Sequence, residues 1–346
     1  MKIVVLAGGL SPERDVSLSS GALIANALIE MHHEVMLLDL YLGAKNPDIA
    51  HGWQNLATGV RFSYQIPPKE PDLAAIKAAS GNGEMLIGDD VLTLCREADL
   101  VFLALHGASG ENGQLQALLD LYAVPYTGSG YVGSLLAMDK DLSKQIMHEQ
   151  GIPTPSWRRV ELDQTSDFSF VRYPCVVKPC SCGSSVGVTI AENAAEFAAA
   201  IEYARQYESA VLIEEKIVGR EFSIGVLGGK ALPVIEIRPK SGFYDYANKY
   251  QKGRADEICP AEIGNEIREL LQTNAVRVHN ALRLGFYSRI DFIVDESGQA
   301  WCLEANTLPG MTPTSLLPQE ALAAGIGYNE LCDKIARGAL RQGGAV

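Results

Sequence analysis

The sequence predicts a mixed α/β and α+β protein in three parts. These are an N-terminal open parallel-sheet domain over 1–130, a small central domain over 131–217 and a larger C-terminal domain over 218–346. Three observations lead there. Short apolar runs alternate with helical spacing up to about Tyr126. After it, strands and helices follow in less regular order. Near the end stands a pair of strands with polar residues at every second position, at 289–305. Strands alternating with helices imply a parallel sheet covered on both faces.

The bulk numbers narrow the class. A chain of 346 residues can build two or three cores. Hydrophobic content of 47% with 21% charged residues is ordinary for a soluble globular protein. A net charge of −13 without any Lys/Arg cluster argues against nucleic acid or an anionic membrane as partner. No run approaches the ~20 apolar residues of a membrane span, and the first apolar run is too short for a signal peptide. A cytoplasmic protein is expected. Its cysteines (Cys95, Cys175, Cys180, Cys182, Cys259, Cys302 and Cys332) are irregularly spaced and form no C-x-x-C, so zinc-ribbon and thioredoxin motifs are unsupported. Free thiols in a reducing compartment fit this usage.

The elements follow from periodicity. Lys2–Ala7 reads as a buried strand ending at Gly8-Gly9, and Ser17–Glu30 as a helix through Leu18, Ala22, Leu23, Ala27 and Leu28. Val35–Leu40 and Leu100–Leu105 are further strands, the second closed by His106-Gly107, and Gly113–Tyr122 is a helix. The Pro/Gly-rich insert at about 46–88 shows no clear pattern. Ser134–Gln150 predicts one helix stopped by Gly151, with Pro153 and Pro155 in a connector. Then come a strand at Val176–Pro179, a small-residue loop at Cys180–Gly187, a helix at Ala194–Tyr207 and a strand at Val211–Glu215. Three strand-like runs from Glu221, a helix over Ile263–Leu284 and the strand pair complete the chain.

That strand pair carries the clearest chemistry. A two-residue turn at Ser297-Gly298 would pair Glu296 with Gln299, Asp291 with Glu304 and Arg289 with Asn306. Side chains alternate faces along a strand, so Arg289, Asp291, Glu304 and Asn306 converge on one face. Ile290, Phe292, Val294, Trp301, Leu303 and Ala305 line the other. Two carboxylates and an amide on rigid strands are the hard oxygen donors a magnesium site needs, and the remaining ligands would be waters and nucleotide phosphates. The plainer alternative is the solvated face of an edge hairpin.

A second group of residues suits a nucleotide. Lys178-Pro-Cys-Ser-Cys-Gly-Ser-Ser-Val-Gly-Val188 follows a strand, and its small residues allow backbone N–H groups close to phosphate oxygens. Neither G-x-x-x-x-G-K-[ST] nor G-x-G-x-x-G is present. Lys178 and Lys140 are candidate phosphate ligands. Val211–Glu221 reads as a hinge strand able to read a purine edge, with Glu221 placed for ribose hydroxyls. Taken singly, a Gly/Ser turn, a surface lysine and an interdomain strand would be equally ordinary readings. Cys180 and Cys182, in a glycine-rich loop beside lysines, are expected to have raised thiolate character.

Together and in this order, the motifs resemble the D-alanine–D-alanine ligase family of the ATP-grasp superfamily, nearly end to end. They include Gly8-Gly-Leu-Ser-Pro-Glu-Arg-Asp-Val-Ser-Leu18 and His106-Gly-Ala-Ser-Gly-Glu-Asn-Gly-Gln-Leu-Gln116. With these stand the 178–188 loop, Phe243-Tyr-Asp-Tyr-Ala-Asn-Lys-Tyr250 and Glu304-Ala-Asn-Thr-Leu-Pro-Gly-Met-Thr-Pro-Thr-Ser-Leu316. The resemblance implies an ATP-dependent joining of two D-alanines through an acyl phosphate, for peptidoglycan precursors. It assigns Glu13 and His106 to the first D-alanine, with Ser184 and Tyr250 completing a hydrogen-bond network with Glu13. Lys140, Lys178, Glu214, Ile217, Glu221 and Lys249 would surround ATP. Asp291, Glu304 and Asn306 would bind two Mg²⁺, which Mn²⁺ can replace. Arg289 and the Gly310 N–H would hold the oxyanion, and Ser315 and Leu316 would meet the second D-alanine. Two departures are visible: Ser181-Cys182 stands where relatives often carry a charge before Gly-Ser-Ser, and Glu214-Glu215-Lys216 where a lysine often follows the first Glu directly. The acceptor stays open among D-alanine, D-serine and D-lactate, in that order of expectation. Another ATP-grasp carboxylate–amine ligase and a non-catalytic nucleotide-binding protein are the rival readings. A homodimer is the default assembly.

Overall fold

A computed structural model describes residues 1–47, 49, 52–67, 69, 71–162, 167–183, 186–240 and 255–342. The first sheet is parallel, with Lys2–Ala7 between Glu34–Asp39 and Leu100–Leu103. Helix Arg14–Glu30 crosses from the first strand to the second and packs on them through Leu18, Ala22, Ala25 and Leu28. Gly21 is required there, because a Cβ would lie 2.7 Å from that of Ala7. Helix Tyr328–Gln342, far along the chain, returns to this core with Leu331, Cys332, Ile335 and Ala336.

The central sheet is antiparallel, in the order Trp157–Glu161, Ala210–Glu215, Cys175–Pro179, Thr189–Ala191. Helix Ala194–Ala204 covers one face through Phe197, Ala200, Ile201 and Ala204. Asn193 starts it by accepting the N–H groups of Ala195 and Glu196, as a good N-cap does. The third sheet runs Ala255–Ile258, Ile235–Pro239, Gly219–Leu227, Tyr287–Asp295, Ala300–Asn306, with Lys230–Ala231 beside the third of these. Helix Asn265–Ala281 packs Leu271, Ala275 and Val278 on Phe222, Ile224, Ile290 and Phe292.

Two expectations are corrected, and one stretch without a clear pattern is filled in. The helix over Ser134–Gln150 is two helices, Tyr131–Met138 and Lys140–Glu149. Asp139 interrupts it: its backbone is extended and its carboxylate accepts the N–H groups of Asp141 and Leu142 at 3.0 and 3.1 Å. An Asp side chain that can satisfy those donors competes with helix continuation. Lys140 thereby becomes the first residue of a new helix. The unplaced insert contains a short helix, Leu73–Ser80, capped by Asp72.

The second correction concerns the hairpin. Arg289 pairs with Asn306 and Asp291 with Glu304 as expected, but Phe292 pairs with Cys302 and Val294 with Ala300. The turn is longer than two residues, because the Asp295 carboxylate collects the N–H groups of Ser297 and Gln299 and widens it. A bulge next to Asp291 restores the register. The two one-residue shifts cancel at the polar end. They do not cancel between: Ala300 and Cys302 face the core, Trp301 pairs with Ile293, and Leu303 lies in the cleft with Ile293.

Candidate active site

The central and third sheets enclose a cleft of about 860 Å³. Lys140, Lys178, Glu214, Ile217, Glu221, Asp291 and Glu304 all line it, alongside apolar Val176, Val188, Ile190, Ile237, Ile293 and Leu303. Each polar side chain owes its place to an element already described. Lys178 is the penultimate residue of the Cys175–Pro179 strand, and Glu214 meets it from the neighbouring strand, with Nζ 2.8 Å from Oε1. Lys144, one helical turn after Lys140, approaches the same Oε1 at 3.2 Å and also donates to Thr154 Oγ1 at 2.7 Å. Thr154 in turn donates to the Cys302 carbonyl at 2.8 Å, tying the connector to the hairpin.

This buried Lys–Glu–Lys group sets its own protonation. Burial pushes the Glu214 carboxyl upward, but Lys178 and Lys144 outweigh it and hold it below the usual carboxylate range. Burial lowers Lys144 to about 8 against the pull of Glu214. Lys140 donates from Nζ to the Cys182 carbonyl at 2.7 Å and stands 3.8 Å from Glu304.

On the hairpin, Arg289 holds Asp291 in a two-point pair at 3.0 and 2.8 Å, and Ser223 donates to Asp291 Oδ1 at 2.7 Å. Asn306 accepts the Leu308 N–H at 3.0 Å and so fixes the start of the following loop. Among the described residues, no group of three or more His, Cys, Asp and Glu gathers as a metal cage. Two carboxylates and an amide are nevertheless the donor set magnesium takes when it keeps waters and phosphates as its other ligands. The residues fit such an ion.

A second cluster joins the first sheet to the hairpin. The Gly107 Cα, at φ +77°, leaves room for Glu13, whose Oε2 would be 3.7 Å from a Cβ there. Glu13 and His106 are both buried. Burial lowers His106 against the pull of Glu13, which favours a neutral imidazole, and its buried Nε2 has no hydrogen-bond partner among the described residues. Glu111 accepts the Gly107 N–H at 2.8 Å, and burial together with the nearby Glu13 charge raises it to about 8. Behind Glu13, Arg14 pairs with Asp39 and donates to the Gly9 carbonyl at 2.8 Å. Asp39 also accepts the N–H groups of Gly9 and Tyr41 and the amide of Asn46.

Past the hairpin, the Ser315 hydroxyl folds back toward Gly310, where a Cβ would lie 2.9 Å from it, and lies 2.8 Å from the Thr312 hydroxyl. Leu316 is buried with Ile235 and Ile237, so its side chain is a packing group as well as a neighbour of Ser315. Ser184, Lys249 and Tyr250 lie outside the described residues. Lys144, Glu111 and the Arg14–Asp39 pair were not singled out from the sequence. The spacing of Lys140 and Lys144, four apart on one helix face, was a signal available for the first. The expected thiolate character of Cys180 and Cys182 is overturned. Burial and then the Glu208 charge push Cys180 to about 12 and Cys182 to about 11.

Comparison with known proteins decides the family. Residues 2–129 match the model of the D-ala D-ala ligase N-terminus, and residues 146–337 that of the D-ala D-ala ligase C-terminus. The chain belongs to the D-alanine–D-alanine ligase family. It is 42% identical to the D-alanine–D-alanine ligase of Pediococcus pentosaceus, over 98% of this chain and 97% of that protein. Identity to the enzyme of Lacticaseibacillus casei is 41%, over 99% and 96%. The ATP complex of the Bacillus anthracis enzyme superposes with a TM-score of 0.77 at 30% identity, covering 99% of both chains. The fold is therefore that of this ATP-grasp family. Among the described residues, no helix is long and apolar enough to cross a membrane.

Proposed function

We propose that this chain joins two D-alanine molecules at the expense of ATP, forming D-alanyl-D-alanine for peptidoglycan precursors. The observation that carries this reading is one cleft lined both by the paired Asp291 and Glu304 and by Lys140, Lys178 and Glu214. Negative oxygens for cations share it with cations for phosphates. The chemistry is acyl activation. A carboxylate is a poor acyl donor until one of its oxygens carries the γ-phosphoryl group.

Glu13 would take the ammonium of the first D-alanine, with neutral His106 beside it. Lys140, Lys178 and, from outside the described residues, Lys249 would bind the ATP phosphates. Glu214, Ile217 and Glu221 would hold the adenosine. Asp291, Glu304 and Asn306 would hold two Mg²⁺, which when bound neutralise charge on the transferring phosphoryl group. Arg289 and the Gly310 N–H would hold the oxyanion formed when the second amine attacks, the largest electrostatic demand of the reaction. Ser315 would orient the acceptor, and Ser184 and Tyr250 would close the site against water. The three sheets support a division near 130 and 217, and a cytoplasmic homodimer is part of the same reading.

D-alanine is the preferred acceptor in this proposal. Leu316 is packed among Ile235 and Ile237 and offers no hydrogen bond to a serine hydroxyl. Phosphate release across D- and L-amino acids and D-lactate tests the reading. We expect D-alanine alone to support turnover and to outcompete equal D-serine. Mainly D-alanyl-D-serine from such a mixture would overturn the acceptor choice.

A further inference from the structure

Glu208 belongs to none of the roles above. It stands in the turn between helix Ala194–Ala204 and strand Ala210–Glu215. Yet its carboxylate reaches across to the base of the small-residue loop. Oε2 accepts the Cys180 N–H at 2.9 Å and Oε1 the Ser181 N–H at 2.9 Å, while Cys182 Sγ lies 3.4 Å from Oε1. From the opposite side, the Lys140 N–H donates to the Cys180 carbonyl at 3.0 Å and its Nζ to the Cys182 carbonyl at 2.7 Å. The loop base is thus gripped through its amides by one residue and through its carbonyls by another. The far end of the loop meets the same turn. At Gly187, φ +73°, a Cβ would lie 3.1 Å from the Tyr207 ring and 2.6 Å from Pro179.

We propose that Glu208 is a positioning residue for ATP, anchoring Cys180–Cys182 where Cys182 lines the cleft together with Lys140 and Lys178. This rests on the reading that the loop receives ATP phosphates. A carboxylate accepting backbone N–H groups makes strong, charge-assisted hydrogen bonds. With the Cys180 and Ser181 amides already satisfied, phosphate recognition falls to donors beyond Ser181. Burial first, and then the same carboxylate, keep Cys182 protonated, since a thiolate beside Glu208 would meet like charge. Cys182 therefore reports whether the anchor is in place.

The test uses the full-length chain carrying Glu208→Ala. We expect the KM for ATP to rise about tenfold, the scale of one lost charged hydrogen bond, with the KM values for D-alanine moving less than about twofold. We also expect iodoacetamide to label Cys182 faster than in the unmodified protein. Should Glu208→Ala melt too low to assay, Glu208→Asp, which keeps the charge and shortens the reach, carries both measurements. An unchanged ATP KM, or unchanged labelling, overturns the proposal. If the unmodified protein shows no D-alanine-dependent turnover, the functional reading fails, and labelling alone then decides the anchor.

Discussion

Lys144 Nζ lies 3.2 Å from Glu214 Oε1, and both side chains are almost wholly shut off from solvent. Glu214 also faces Lys178 at 2.8 Å, so one carboxylate holds two lysines at the back of the cleft. Without Lys144 the Glu214 carboxylate still pairs with Lys178, but Thr154 Oγ1 and the Pro155 carbonyl lose their buried donor, a cost of about 1–3 kcal/mol. Lys144→Met should lower unfolding stability on that scale. It should also raise the KM for ATP, because Lys178 and Glu214 would then pair more tightly with each other. Denaturant melts and initial rates check both; unaltered stability would mean that Lys144 is a bystander.

Asp291→Asn and Glu304→Gln each remove a charge from the paired positions of the hairpin. The fold should persist, and turnover should fall by roughly two or more powers of ten, the effect of losing a main charge-stabilising group. The dependence on magnesium concentration should steepen as well. Near-normal turnover of Glu304→Gln at low magnesium would leave the hairpin face merely solvated.

Glu111 gives a pH signature. Its folded-state value near 8 stands above the ordinary carboxylate value of about 4.3. Between those limits the unfolded chain has lost the proton that the folded chain retains, so folding stability falls as pH rises. Glu111→Gln cannot ionise. Its unfolding free energy should gain on that of the unmodified protein from pH 5 to pH 8, by up to about 1.4 kcal/mol per pH unit. A constant difference across that range would rule out a neutral Glu111.

With their thiols at about 12 and 11, Cys180 and Cys182 should be almost entirely protonated at neutral pH. Only the thiolate is the strong nucleophile. Mild oxidant at pH 7 should leave activity intact, whereas the raised thiolate character expected from the sequence would leave the loop open to oxidation. Rapid loss of activity, reversed by a thiol and absent from a Cys180→Ser/Cys182→Ser variant, would restore the earlier expectation.

These cases show where the sequence is legible and where it is not. Arg289, Asp291, Glu304 and Asn306 could be placed on one face because strand alternation is a local rule, and two register shifts happened to cancel at their end of the hairpin. Trp301 and Leu303, inside the shifted stretch, were assigned to the wrong face for the same reason. The break at Asp139 depended on a side chain preferring its neighbours' N–H groups, which periodicity does not register. Glu208 and Lys144 act on residues tens of positions away, and only the folded arrangement of sheets brings them there. The cysteines were misjudged because nearby lysines in sequence counted for less than burial and Glu208 in space.

The central claim is transfer of a phosphoryl group to the carboxylate of the first D-alanine, and its most direct test follows an oxygen atom. Purified protein should be given Mg-ATP and D-alanine bearing isotopically heavy carboxylate oxygens, with phosphate and dipeptide analysed by mass spectrometry. We expect one heavy oxygen in each released phosphate and one D-alanyl-D-alanine for each ADP. Phosphate free of the label, or equal ADP release with L-alanine in place of D-alanine, would contradict it.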